Sequence, residues 1–143
     1  MERYTALTSA EADWILPGRA PGVADGRRGY FVFPAVRRGF GDASVEPFAP
    51  ILEVEKFDEI DSAVSVANAT PFGLTATVFT RDEALFRRVA SSLRMGNVYA
   101  NLPTTFSPGT LPFGGLGASG NGRPGGRGFI RFCTHEQAQQ WKF

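Results

Sequence analysis

From Tyr30 onward the apolar positions of this chain follow first the two-residue rhythm of strands and then the wider rhythm of helices. Tyr30-Phe31-Val32-Phe33 predicts a strand stopped by Pro34. Ile51 to Phe57 predicts a second, with Leu52 and Val54 sharing a face. Asp58 is the expected N-cap of a helix carrying Ile60, Val64 and Ala67 on one side. Pro71 and Gly73 break the chain before a third strand, Leu74 to Phe79, where Leu74, Ala76 and Val78 alternate with Thr75, Thr77 and Phe79. Thr80-Arg81-Asp82-Glu83 reads as a capping box, Thr80 capping the next helix and Glu83 reaching back to its amide. That helix buries Leu85, Val89 and Leu93, with Phe86 and Ala90 widening the stripe, and Gly96 supplies its stop. Val98 to Ala100 predicts a short buried strand and Gly128 to Cys133 a final one.

Strands and helices alternating with short joins predict βαβ units with right-handed crossovers, hence an α/β fold: a mostly parallel sheet flanked by helices. Residues 1–29 carry little pattern; Glu11 to Leu16 reads as either a short helix or a strand, and Pro17-Gly18 and Pro21-Gly22 break the chain beyond it. The expected organisation is a poorly patterned segment over 1–29 and one domain over 30–143.

Composition narrows the function. Fifteen basic residues against fourteen acidic ones give no electrostatic reason to expect a nucleic-acid or membrane partner. No apolar run approaches membrane-spanning length, and Met1-Glu2-Arg3-Tyr4 opens no signal peptide, so a soluble cytoplasmic protein is expected. A single cysteine, Cys133, excludes an internal disulfide, and one Cys with one His cannot complete a tetrahedral zinc site. Cys133 and His135 are nearly adjacent, which is not the spacing of a nucleophile and base converging from distant elements. The expectation is that Cys133 ends an apolar strand, with His135 just beyond it at the surface.

The run Leu111 to Gly126, LPFGGLGASGNGRPGG, is too rich in glycine for an ordinary helix or strand. Such backbone is used where φ must be positive or where something approaches closely, and Phe113, between Pro112 and Gly114, is the large side chain it can aim at a ligand. GxGxxG occurs twice, at Gly115–Gly120 and Gly120–Gly125. Neither is a dinucleotide fingerprint: Pro112 precedes the first, and Pro124 with further glycines prevents a helix after the second. Arg27-Arg28-Gly29-Tyr30, Arg37-Arg38-Gly39-Phe40 and Arg127-Gly128-Phe129 have the composition of single-stranded nucleic-acid patches, but their arginines are expected simply to solvate strand ends. Glu46-Pro47-Phe48-Ala49-Pro50 holds a carboxylate two residues from an aromatic ring, between prolines, and so offers one polar and one flat apolar surface to one small molecule.

Together these segments resemble the C-terminal part of the aldehyde dehydrogenase superfamily. Glu46-Pro47-Phe48-Ala49-Pro50 is similar to its Glu-x-Phe-Gly-Pro; Ala67 to Leu74, continuing to Val78-Phe79-Thr80, to its AN…YGL…VFT stretch; Gly96 to Asn101 to its Gly-x-Val-x-x-Asn; and Pro112 to Gly115 with Ser119-Gly120 and Gly122-Arg123 to its PFGG…SG.GR loop. Among its branches, Leu116 to Asn121 and Arg123-Pro124 are most similar to succinylglutamate semialdehyde dehydrogenases. The similarity runs in consistent order from Tyr30 to the C-terminus.

In that family a cysteine attacks the aldehyde, hydride passes to NAD(P)+, and a glutamate-activated water hydrolyses the thioester. The resemblance implies the family's catalytic-subdomain fold in truncated form. It implies that Glu46 binds the nicotinamide ribose hydroxyls, Phe48 packs near the nicotinamide, Phe113 lines the substrate tunnel and Asn101 helps hold the strand and loop beside it. Ala49 stands where the family has glycine, and Val45 where many members have a second acidic residue. The family's nucleophile, general base and dinucleotide-binding domain lie upstream of the similar region, and nothing before Tyr30 resembles them. No catalytic residue is therefore assigned, and NAD(P) is implied only by resemblance. Three readings are open: a catalytically silent remnant, one half of a split enzyme completed by a separate chain, or a binding module that forms a homodimer by donating Gly128 to Cys133.

Overall fold

The computed structural model describes residues 2–9, 11–18, 29, 31–120 and 122–143. Tyr30, the Arg27-Arg28 pair, Pro21-Gly22 and Asn121 lie outside them. The chain divides into two compact units, Met1–Asp58 and Glu59–Phe143.

The first unit holds helix α1 (Glu2–Ser9) and strands β1 (Trp14–Leu16), β2 (Ala35–Arg38) and β3 (Ile51–Val54) in the order β1-β2-β3. β1 runs antiparallel to β2, and β2 parallel to β3 with Ala35 opposite Ile51 and Arg38 opposite Val54. Of the two readings of Glu11 to Leu16, the strand is realised. The strand expected at Tyr30–Phe33 is not: Phe31 to Phe33 lie outside the ladder and pairing begins just after Pro34. The parallel register sets Pro34 opposite Pro50. Neither has an N–H to donate, so the ladder cannot extend through them. Its first bond is the Ala35 amide to the Pro50 carbonyl, 2.9 Å. At the other end Gly39 takes φ +76°, and its amide caps Val54 at 2.9 Å. Arg37 and Glu53 face each other across the ladder and pair, Nε to Oε1 at 2.8 Å, while the same carboxylate accepts the Gly41 amide at 3.1 Å. Ala35 is completely buried, and the buried Tyr4 of α1 donates its hydroxyl to the Phe33 carbonyl.

The second unit runs α2 (Ile60–Asn68), β4 (Thr75–Val78), α3 (Glu83–Ser92) and β5 (Asn97–Ala100), with β4 and β5 parallel and Thr75 opposite Asn97. This is the expected strand–helix–strand unit. Ile60, Val64 and Ala67 on α2 and Leu85, Phe86 and Ala90 on α3 are half-buried, and Val89 is buried. The caps differ from expectation. Glu59, not Asp58, occupies the N-cap of α2 and makes no side-chain cap bond. At α3 the N-cap is Asp82, whose Oδ1 accepts the Leu85 amide at 3.0 Å. Thr80 instead accepts the Asp82 amide at 3.1 Å, one step before the helix, and Glu83 turns forward to Arg87 at 2.6 Å. The competing local bond of Thr80 and the availability of Arg87 one turn on displace the capping box. The α3 C-cap is Leu93, three residues before Gly96.

The final strand expected at Gly128 to Cys133 is instead a 3-10 turn, Gly126–Gly128, running into one helical turn, α4 (Phe129–Phe132). Gly126 opens the turn at φ +72°, and the Cys133 amide closes the helical turn onto the Phe129 and Ile130 carbonyls at 3.2 Å each.

The glycine-rich run packs backbone against backbone on β4 and β5. The Gly73 carbonyl accepts both the Gly96 and the Leu116 amides at 2.9 Å, and Pro71 accepts Ala118 at 2.9 Å. A Cβ at Gly96 would fall on the Gly114 carbonyl, and one at Gly117, where φ is +56°, on that of Pro71. Ser119 ties the fold back with a 3.0 Å bond from the Gly73 amide to its Oγ.

Urea unfolding of four variants checks these contacts. Asp82→Ala is expected to lower stability by about 1 kcal/mol and Glu83→Ala by less than about 0.5 kcal/mol, because the Glu83–Arg87 pair is exposed; the reverse order would restore the capping box. Gly96→Ala is expected to cost about 3 kcal/mol or more, whereas Gly109→Ala, whose Cβ would meet nothing within 4 Å, stays within about 0.5 kcal/mol.

Candidate functional site

The loop Glu46–Pro50 is prepared by an Asx turn. Asp42 Oδ1 accepts the Ser44 hydroxyl at 2.5 Å and the Ser44 amide at 2.9 Å, and the Asp42 carbonyl accepts the Val45 amide at 3.1 Å. The Ser44 hydroxyl first, and its amide second, hold the Asp42 carboxyl below the usual carboxylate range. A carboxyl lowered on folding stabilises the turn above its ordinary pKa, and the effect disappears as pH falls through the lowered value. The turn is therefore intact at neutral pH. Beyond it Glu46 is exposed, and Phe48 takes φ +46° with 85% of its surface open. A left-handed backbone is unfavourable for a residue with a Cβ and a ring, and persists only where neighbours enforce it. Pro47 and Pro50 bracket the position, and the Ile51 amide closes onto the Ala49 carbonyl at 2.7 Å. One short loop at the amino end of β3 thus presents a carboxylate and a bare aromatic face. Together they offer one polar and one flat apolar surface to a small molecule.

In the second unit, Asn101 follows the carboxyl end of β5 at φ +54°. Its amide holds both backbone groups of Thr80: Oδ1 accepts the Thr80 N–H at 2.9 Å and Nδ2 donates to the Thr80 C=O at 2.8 Å. Phe79, Thr80, Arg81 and Asn101 line a shallow open depression of about 460 Å³ there. The ends of parallel strands are the usual seat of ligands in α/β sheets. Phe113 is half-buried and fixed from the other end of β5: Asn97 Nδ2 donates to the Pro112 carbonyl at 3.0 Å and its Oδ1 accepts the Gly114 amide at 3.3 Å.

The four residues singled out by sequence thus sit two in each unit. Glu46 and Phe48 share one loop; Asn101 and Phe113 are attached at opposite ends of one strand. Asn97 carries no signal in the sequence, because a polar residue opening a strand looks like an ordinary solvent-facing position. The glycine loop offers no phosphate cradle at Leu116 to Gly120, because the Leu116, Ala118, Ser119 and Gly120 amides already donate to carbonyls. Arg123 is likewise engaged, its Nη1 donating to the Gly115 and Gly122 carbonyls at 2.9 and 3.2 Å. Cys133 is exposed and ends a helical turn rather than the expected strand. No helix among the described residues is long and apolar enough to cross a membrane.

The known proteins that this chain is similar to are consistent in kind. The family model "Aldehyde dehydrogenase family" matches residues 1–138. N-succinylglutamate 5-semialdehyde dehydrogenase 2 of Caulobacter vibrioides is 37% identical over 138 residues, which are 93% of this chain and 28% of that protein. Rat aldehyde dehydrogenase, cytosolic 1, is 42% identical over 102 residues, 68% of this chain and 20% of the relative. Aldehyde dehydrogenase C of Pseudomonas syringae, solved with NAD+ and octanal, superposes with a TM-score of 0.77 at 35% identity, over 88% of this chain and 27% of the other. HpcC of Thermus thermophilus superposes at 0.82 and 31% identity, over 99% of this chain and 31% of the other. The chain thus spans less than a third of the length of these relatives, and along nearly all of its own length it belongs to the aldehyde dehydrogenase family.

Proposed function

We propose that this chain furnishes part of the nicotinamide and aldehyde sites of an aldehyde dehydrogenase and does not oxidise aldehydes by itself. The observation that carries the reading is the inventory of thiols. The reaction needs a cysteine thiolate facing the aldehyde carbon, and the sole cysteine, Cys133, comes after the glycine loop on an exposed helical turn. The residues present suit the nicotinamide end of NAD(P); the Leu116, Ala118, Ser119 and Gly120 amides already donate to carbonyls and do not serve its diphosphate. NAD(P), when bound, supplies the hydride acceptor. Glu46 accepts hydrogen bonds from the ribose hydroxyls, Phe48 offers its open face to the ring, Phe113 lines the aldehyde passage from the start of β5, and Asn101 holds the other end of that strand to the turn before α3. The relatives from Caulobacter favour a carboxylated aldehyde such as succinylglutamate semialdehyde. A cytoplasmic location suits the single unpaired thiol.

A second reading, that another chain completes the enzyme, is favoured by how little of each unit is covered. Among the described residues the buried hydrophobic side chains are only Tyr4, Ala35, Val89 and Tyr99, and β4 and β5 form a parallel sheet of just two strands. Parallel sheets are ordinarily larger and covered on both faces. Self-association through the same apolar surface is the remaining reading.

Calorimetric titration with NAD+ and NADP+, combined with an assay of aldehyde-dependent nicotinamide reduction, separates these readings. The isolated chain is expected to show neither measurable binding nor turnover; NAD(P)-dependent oxidation by the purified chain would overturn the proposal. Mixing with the upstream portion of a relative tests completion. If activity returns, Glu46→Gln and Phe48→Ala are expected to lower it about tenfold to a hundredfold. Sedimentation at micromolar concentration reads out self-association.

A further inference from the structure

Phe113 occupies an unusually well-specified stretch of backbone. Pro112 fixes φ on one side, and Gly114 on the other is so close to the Gly122 carbonyl that no side chain fits. Gly125 lies near enough that a Cβ there would touch the Phe113 amide at 3.3 Å and its Cβ at 3.4 Å, and one at Gly126 would press on the Leu111 carbonyl carbon at 2.6 Å. These contacts limit where the segment can go without fastening it. The fastening comes from Asn97, whose carboxamide spans Phe113 by bonding the carbonyl before it and the amide after it. Asn97 is itself anchored: it opens β5 opposite Thr75, and its own amide donates to the Leu74 carbonyl at 3.1 Å.

The geometry points to Asn97 as the positioning residue of Phe113: it sets where the aromatic ring stands relative to β5 by gripping the peptide groups on both sides of it. This rests on the reading that Phe113 lines the aldehyde passage. Under that reading Asn97 tunes the width of the passage without touching the aldehyde. Only a side chain with a donor and an acceptor in one plane can make both bonds. Alanine makes neither. Aspartate keeps an acceptor for the Gly114 amide but turns a second oxygen toward the Pro112 carbonyl.

The test uses the whole isotope-labelled chain in solution. In Asn97→Ala the Gly114 amide is expected to exchange about tenfold faster, the scale of one lost hydrogen bond, while the Leu116 amide, bonded to Gly73, keeps its rate. The Phe113 ring resonances should shift in the same variant. Asn97→Asp guards against loss of folding: Gly114 should remain protected while the ring resonances still move. Unchanged Gly114 exchange in a folded Asn97→Ala, or an unchanged Phe113 ring in Asn97→Asp, would overturn the assignment. Octanal serves as the aldehyde probe. If it leaves the Phe113 ring undisturbed while the exchange result holds, the aldehyde-passage reading falls and the positioning role stands.

Discussion

The second unit depends on the backbone contact between Gly96 and Gly114. Because Gly96 carries no side chain, the glycine loop comes close enough for Leu116 to share the Gly73 carbonyl with Gly96. Three distant segments meet at that one acceptor: the turn into β4, the turn into β5 and the loop that carries Phe113. Each shared bond adds only about 1 kcal/mol, but the steric term is far steeper, since a single methyl at Gly96 forces main chain to move. The abundance of glycine between residues 111 and 126 thus reflects close approach to the protein's own backbone rather than to a phosphate.

Asparagine does the complementary work. Asn68 bonds the Ser92 carbonyl at 2.9 Å and the Arg94 amide at 2.7 Å, Asn97 spans Phe113, and Asn101 holds both groups of Thr80. A carboxamide reproduces the donor and acceptor of a peptide unit on a short tether. In each case it supplies an extra rung where the ladder or helix has ended. These rungs link the end of α2 to the end of α3, the glycine loop to the start of β5, and the turn into α3 to the end of β5. The functional side chains sit on loops, and such rungs give loops a defined place.

Much of the second unit is legible in the sequence because its signals are local. The apolar stripes of α2 and α3 fall where the chain places them; β4 is shorter than expected, Thr75–Val78, and its four residues are all half-buried rather than alternating. The failures share a different cause. Whether Phe31 to Phe33 joins a ladder is decided by Pro50, sixteen residues beyond Pro34, which faces it only once the register is known. Phe129 to Phe132 is an apolar run too short for its period to separate a strand from a helical turn. Thr80 and Glu83 stand at the spacing of a capping box, yet Asp82, inside that box, makes the bond. At the site, Glu46 and Phe48 are legible as a motif, while the left-handed backbone that turns the Phe48 ring outward is not.

The facing prolines at the start of the β2–β3 ladder have one more effect. Phe31, Val32 and Phe33 are a partly exposed, strongly β-prone stretch, the kind of unpaired edge that can pair with another chain. Pro34 ends that stretch with a residue unable to donate, and Pro50 denies it a templating neighbour in register. The same pair that marks where a strand begins therefore also acts as a gatekeeper, sparing the protein a route to aggregation just upstream of β2.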